Sequence, residues 1–162
     1  MVRRVEVQRW SAISSKSFED VVAALEAAVG HPDMSAFQKQ VATGTFSEFA
    51  AFIQAALGRS GFMEFTRFNM GAVLRKESGQ ASPKILRLVI GNPLVMKEMG
   101  KHVPDAASYA PVTVLIDERA DGVHLSYDTM ASYLAPYGSE EVLKVARDLD
   151  AKVEKLLSEA AR

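Results

Sequence analysis

The chain has 162 residues, with 19 Lys and Arg against 20 Asp and Glu for a formal net charge of −1. At ~150 residues per domain, that length makes a single domain over residues 1–162. Hydrophobic residues at 48% and charged residues at 24% exclude a disordered or low-complexity chain, and the balanced charge gives no field to draw the protein to nucleic acid.

There is no cysteine, which excludes disulfides, a thiolate nucleophile, Cys-ligated zinc and iron–sulfur clusters. Residues 1–7 carry Arg3 and Arg4 but no apolar segment behind them, so they do not read as a secretory signal. The most apolar window, 50–57, falls far short of the ~20 residues that span a bilayer. The expectation is a soluble cytoplasmic protein with no membrane partner.

Residues 2–10 alternate, with Val5 and Val7 opposite Glu6 and Gln8, and read as a half-buried strand. Ser17 is an N-cap residue, followed by Phe18, Val21, Val22, Leu25 and Val29 on one helical face and stopped by Gly30. Residues 31–60 read as two short helices, the first capped by Asp33 and closed by Gly44. The second opens on the capping box Thr45-Phe46-Ser47-Glu48 and closes at Gly58.

Residues 62–68 are aromatic-rich and read as a strand, Asn69-Met70-Gly71 as a turn, and residues 72–75 as a short strand. Residues 85–90 are almost continuously apolar, the pattern of a central strand buried on both faces. Asn92 can cap the next helix with Pro93 at its first position, and Gly100 marks its end. Residues 111–116 and 123–127 alternate about a polar loop at 117–122 and form a hairpin. From Ser139 one long amphipathic helix presents Val142, Val145, Leu149, Val153, Leu156 and Ala160 on a single face. The irregular order of strands and helices predicts an α+β fold: a mostly antiparallel sheet with helices packed on it and a long C-terminal helix.

Four constellations are candidates for chemistry. Gly91-Asn92-Pro93 joins a strand to a helix whose first amides would suit an anion, although Asn-Pro also starts helices that bind nothing. Met96, Met99 and His102 have ligand types that suit copper or haem iron, but at helical spacing they read as core and surface, so no metal site is assigned. His124, Ser126 and Asp128 resemble a triad in type only. Same-face neighbours on a strand stand ~6.6 Å apart, too far for triad contacts, which leaves them a polar sheet face or one wall of a pocket. The loop at 101–105, leading to Tyr109, offers His102 and Asp105 as a base and its orienter.

The stretches Ser15 through Leu25, Ile90-Gly91-Asn92-Pro93, His102-Val103-Pro104-Asp105-Ala106, Tyr109-Ala110-Pro111 and Tyr127-Asp128 resemble the domain of unknown function family 302 over nearly the whole chain. Against its shortest members, residues 31–60 look like an added helical insertion. The long C-terminal helix fits the larger bacterial members. The resemblance implies a compact α+β fold, a bacterial or archaeal source and a dimer; it implies no reaction, and no catalytic residue or cofactor carries over. Some relatives have Asp-His-Gly where this chain has Asn69-Met70-Gly71, so any role of that histidine is missing here.

Three functional readings follow. One is a homodimer binding a small anionic ligand through Gly91, Asn92, His102, Asp105 and Tyr109. Another is an enzyme using His102 and Asp105 in acid–base chemistry. The last is a structural or interaction protein whose C-terminal helix packs against a second copy, against which stands packing on its own sheet.

Overall fold

The computed structural model describes residues 2–81 and 83–162; Met1, with which the leader reading begins, lies outside them. Among the described residues five strands form one antiparallel sheet: β1 (Arg9–Ser14), β2 (Met63–Asn69), β3 (Ile85–Gly91), β4 (Val112–Arg119) and β5 (Gly122–Asp128), in the spatial order β1-β5-β4-β3-β2. The helices are α1 (Phe18–Glu26), α2 (Met34–Thr43), α3 (Phe46–Ala56), α4 (Gly71–Ser78), α5 (Pro93–Gly100), α6 (Met130–Leu134) and α7 (Glu140–Ala161). The protein is therefore α+β, as its segment order predicts.

Alternation along the strands decides which face is covered. Leu86, Leu88 and Ile90 of β3, Val112, Val114 and Ile116 of β4, and Val123, Leu125 and Tyr127 of β5 point to one side and are buried there. Helices α1 and α7 cover that side, supplying Val21, Leu25, Val142, Ala146, Leu149, Val153 and Leu157 to the same core. The apolar stripe of α7 is thus consumed within its own chain, which removes it as a surface for a second copy. A smaller core of Phe37, Ile53 and Met63 fastens α2 and α3 to the β2 end of the sheet.

Capping chemistry sets the helix starts. Ser17 Oγ accepts from Asp20 N at 3.1 Å, Asp33 Oδ1 from Ser35 N at 2.8 Å, and Thr45 with Glu48 forms the reciprocal box. Thr45's amide and hydroxyl both donate to the Glu48 carboxylate, which holds its pKa below the ordinary glutamate value.

Four expectations need correction. The first strand begins only at Arg9 and runs on to Ser14, because a strand exists where it finds a ladder, and β5 pairs with residues 9–14. Residues 72–75 are helical, since Asn69 Oδ1 accepts from Ala72 N at 3.0 Å and starts α4 instead of continuing the sheet. The strand at 85–91 is interior but buried on one face only: Arg87 projects exposed from the other. The hairpin is also tighter than the polar composition of 117–122 indicates. β4 runs to Arg119, and β5 restarts at Gly122, whose φ of 136° is a conformation that side chains avoid.

Candidate functional site

The Gly-Asn-Pro turn stands where the sequence places it, at the end of β3 and the start of α5. Asn92 satisfies the helix start by itself. Its Oδ1 accepts from Leu94 N at 2.9 Å, its carbonyl accepts from Val95 N at 3.0 Å and Met96 N at 3.1 Å, and Pro93 has no N–H. No amide of that first turn is left for an anion. Gly91 and Asn92 instead border a hollow of about 120 Å³ walled by Phe37, Phe65, Pro93, Met96, Met99 and Pro111. Gly91 keeps this place because a Cβ would come 3.1 Å from the Cβ of Pro111.

The other nominated residues do not gather there. His102 is exposed at the end of α5. Asp105, also exposed, lies 4.0 Å from Arg3 Nη1, and its hydrogen bond with Tyr137 raises that phenol above its ordinary pKa. The Arg3 guanidinium sits 4.3 Å from the Tyr137 ring centre. Asp105 is therefore engaged by Arg3 and Tyr137, and no hydrogen bond or ion pair among the described residues joins it to His102. Met96 and Met99 both line the hollow, Met99 fully buried, whereas His102 is exposed, so the three do not converge on one centre.

Tyr109 belongs to a larger cleft of about 560 Å³ on the uncovered face of the sheet. Its floor is made by the outward residues of three strands, Arg87 and Val89 of β3, Thr113 and Leu115 of β4, and Ser126 and Asp128 of β5. One wall is the segment 107–111, which begins in the 3-10 turn Pro104–Ser108 and runs past it; another is Arg9 with Met130 and Tyr133 of α6. The walls meet where the rings of Tyr109 and Tyr133 stack, 4.6 Å apart and 7° from parallel.

Helix α6 is held from below. The Asp150 carboxylate, on α7, accepts from Met130 N at 2.7 Å, Ala131 N at 3.0 Å and the Tyr127 hydroxyl at 2.6 Å. Burial first, and the Asp150 charge second, push the Tyr127 hydroxyl far above its ordinary pKa.

The cleft holds two arginines in unlike states. Arg9 is neutralised: its Nε and Nη2 donate to Asp128 at 2.6 and 2.8 Å in a bidentate pair. That pair lowers the Asp128 carboxyl and raises Arg9 from their ordinary values. Tyr133 Oη donates to the same carboxylate at 3.3 Å, and partial burial, followed by the Asp128 charge, raises its pKa. Arg87 has no such partner. Its Nη2 donates to Thr113 Oγ1 at 3.3 Å, and its guanidinium carbon lies 5.7 Å from the Phe68 ring centre. Among the described residues no carboxylate pairs with it.

Sequence reasoning found Tyr109 and admitted Ser126 and Asp128 as one wall of a pocket, but it missed Arg9, Arg87, Thr113 and Tyr133. One signal was present. Arg87 interrupts an otherwise apolar run, and Thr113 and Ser126 fall at the alternate positions of their strands. His124, third of the residues that resemble a triad, bonds through Nε2 to Asp121 Oδ1 at 2.8 Å.

Among the described residues, no helix is long and apolar enough to cross a membrane. No functionally curated protein matches the chain. A solved structure similar to it is that of an uncharacterized conserved DUF302 protein from Bacillus stearothermophilus. It shares 12% identity at a TM-score of 0.67, over 95% of this chain and 98% of that one, a likeness of fold. The model of the domain of unknown function DUF302 matches residues 37–160, a span that runs from within α2 through most of α7 and takes in the sheet from β2 to β5 with nearly all of the cleft. The chain belongs to the DUF302 family.

Proposed function

We propose that the protein binds a small anionic ligand in the cleft on the uncovered sheet face, with Arg87 as the anchor. The observation that carries this reading is a guanidinium facing a roomy cleft with a hydroxyl as its hydrogen-bond partner and, among the described residues, no carboxylate paired with it. A carboxylate or phosphate can take two of its donors at once, and such charge-assisted pairs are about twice as strong as neutral ones. Thr113 and Ser126 add hydroxyls on the floor, and the stacked Tyr109 and Tyr133 close one end. The site adjoins the Gly-Asn-Pro turn and uses Tyr109, while the turn's own amides take no part. Acid–base catalysis by His102 and Asp105 lacks comparable support, since Asp105 is engaged elsewhere.

The test is a calorimetric and thermal-shift titration of the full chain with phosphate, sulfate and acetate. Binding that raises the melting temperature, and that Arg87→Gln weakens at least ten-fold without changing the unliganded melting temperature, is the expected result. At 100 times Kd the stabilisation is about 2.7 kcal/mol. Equal binding by Arg87→Gln, or no binding by any anion, would overturn the reading.

A homodimer is supported by a second observation. Phe68, Met70, Val73 and Leu74 are 45, 46, 67 and 43% exposed at the end of the edge strand β2 and on α4. A grouped apolar surface of this kind marks a contact, and a two-fold dimer would bury it against itself. Sedimentation should give twice the chain mass, falling to the monomer in Val73→Glu; a monomer at high concentration refutes it.

A further inference from the structure

We propose that the ligand is amphiphilic: its anionic head rests on Arg87, and its alkyl chain crosses Pro111 to end in the apolar hollow beside Gly91. This inference rests on the cleft reading above and extends it to a ligand class.

Two facts of geometry carry it. First, the cleft and the hollow share a border, since Ala110, Pro111 and Val112 line both. Second, the two spaces differ in chemistry. Of the residues lining the hollow, Asn92 alone has a polar side chain, and both of its polar atoms are committed: Oδ1 to Leu94 N and Nδ2 to the Gly61 carbonyl at 3.3 Å. Beyond those two bonds the Asn92 side chain has one N–H and one lone pair left, so a water there would find few partners, and a polar ligand would lose most of its hydration without return. Protein interiors ordinarily close such apolar space by packing. Here two phenylalanines, two prolines and two methionines leave it open, and methionine thioethers adapt to chains of varied shape.

Size narrows the class. At ~30 Å³ per water-sized group, a hollow of about 120 Å³ takes on the order of four chain carbons, too few for a ring system with substituents. The head and the first carbons lie in the cleft, against the apolar side chains of Val89 and Leu115. The class is therefore a straight-chain carboxylate, or an equivalent anion, on the order of eight carbons long.

The experiment is a calorimetric series on the full chain with acetate, butyrate, octanoate and octanol. Each methylene buried should tighten binding about four-fold, so octanoate should exceed butyrate by well over ten-fold. Octanol, which lacks the charge, should bind more weakly than octanoate by at least ten-fold. Met96→Trp, at a half-buried position that lines the hollow, should abolish the gain from butyrate to octanoate and leave acetate binding unchanged. Should that variant fail to fold, nuclear Overhauser contacts from the terminal methyl of octanoate to the Met96 and Met99 methyls of the unaltered protein give the same answer. Acetate and octanoate binding equally would overturn the amphiphile and leave the cleft reading intact. Octanol matching octanoate would overturn the link between hollow and Arg87. Failure of every acid, short and long, would remove both.

Discussion

Replacing Asp150 with Ala tests the joint between α7 and the cleft wall. The residue is 6% exposed, and its carboxylate accepts three hydrogen bonds, from Tyr127 Oη, Met130 N and Ala131 N. Hydrogen bonds to a charged group contribute about 1.5–3 kcal/mol each, but removing the carboxylate also removes the cost of burying it. Met130 N keeps a fallback in Tyr127 Oη at 3.2 Å. The donors left without a partner are then Ala131 N and the Tyr127 hydroxyl, at about 1–3 kcal/mol apiece. The net loss should be about 3–5 kcal/mol, a large share of the 5–15 kcal/mol typical of a domain. For a chain of this size it corresponds to a fall in Tm of roughly 10 °C. Urea titration followed by Trp10 fluorescence and far-ultraviolet dichroism measures it. Tyr127→Phe alone should cost about 1 kcal/mol, and the double variant should lose less than the sum, because both changes break one network. A fall in Tm below about 3 °C for Asp150→Ala, or full additivity, would refute the account.

Other substitutions probe separate parts. Asp128→Asn releases Arg9, so anion affinity in the cleft should rise several-fold by titration; a fall would show that Asp128 does not compete for Arg9. The Arg9–Asp128 pair also predicts a pH effect. The Asp128 carboxyl is held below its ordinary value of 3.8, so the pair stabilises the fold above that value and the contribution disappears as pH falls beneath it. Arg9→Gln should therefore cost up to ~1 kcal/mol at neutral pH and nothing at the acid end, with a cost that persists in acid as the refuting result. A Cβ on Gly30 would stand 1.8 Å from the Ala56 carbonyl oxygen, a backbone atom that cannot move freely. Gly30→Ala should thus lose about 3 kcal/mol or more in urea titration. Ile53→Ala should cost about 2–4 kcal/mol if the small core carries α2 and α3, against an unshifted midpoint if it does not.

Much of the fold was legible in local chemistry. Helix starts with a side-chain acceptor, such as Ser17, Asp33, Thr45, Asn92 and Ser139, fall where the sequence puts them, because the signal and the hydrogen bond share the same few residues. The errors arose where a distant partner decided the outcome or where a segment was too short to show its period. Val5 and Val7 alternate as a strand does, yet β5 has its ladder with residues 9–14. The four-residue segment after Gly71 was too short to distinguish strand from helix by period, and the Asn69 side chain settled it. Helix α6 was invisible because its N-terminal amides are capped by Asp150, 19 and 20 residues downstream. The site shows the same division. Tyr109 lines the cleft from a loop that the sequence marks, whereas Arg9, Arg87 and Tyr133 come together only through the sheet order and the stacked rings.

The strand order has a consequence for how the molecule comes into being. Strands β2 to β5 form a meander of sequential neighbours, but Arg9 meets Asp128, 119 positions further along the chain. Pairings so remote in sequence close late, after their loop entropy has been offset by nearer contacts. On the ribosome, β1 must wait unpaired until β5 emerges, and the amides opening α6 stay uncapped until Asp150 follows. The cleft is therefore among the last features to appear, and a ligand that occupies it selects chains whose first and final segments have already met.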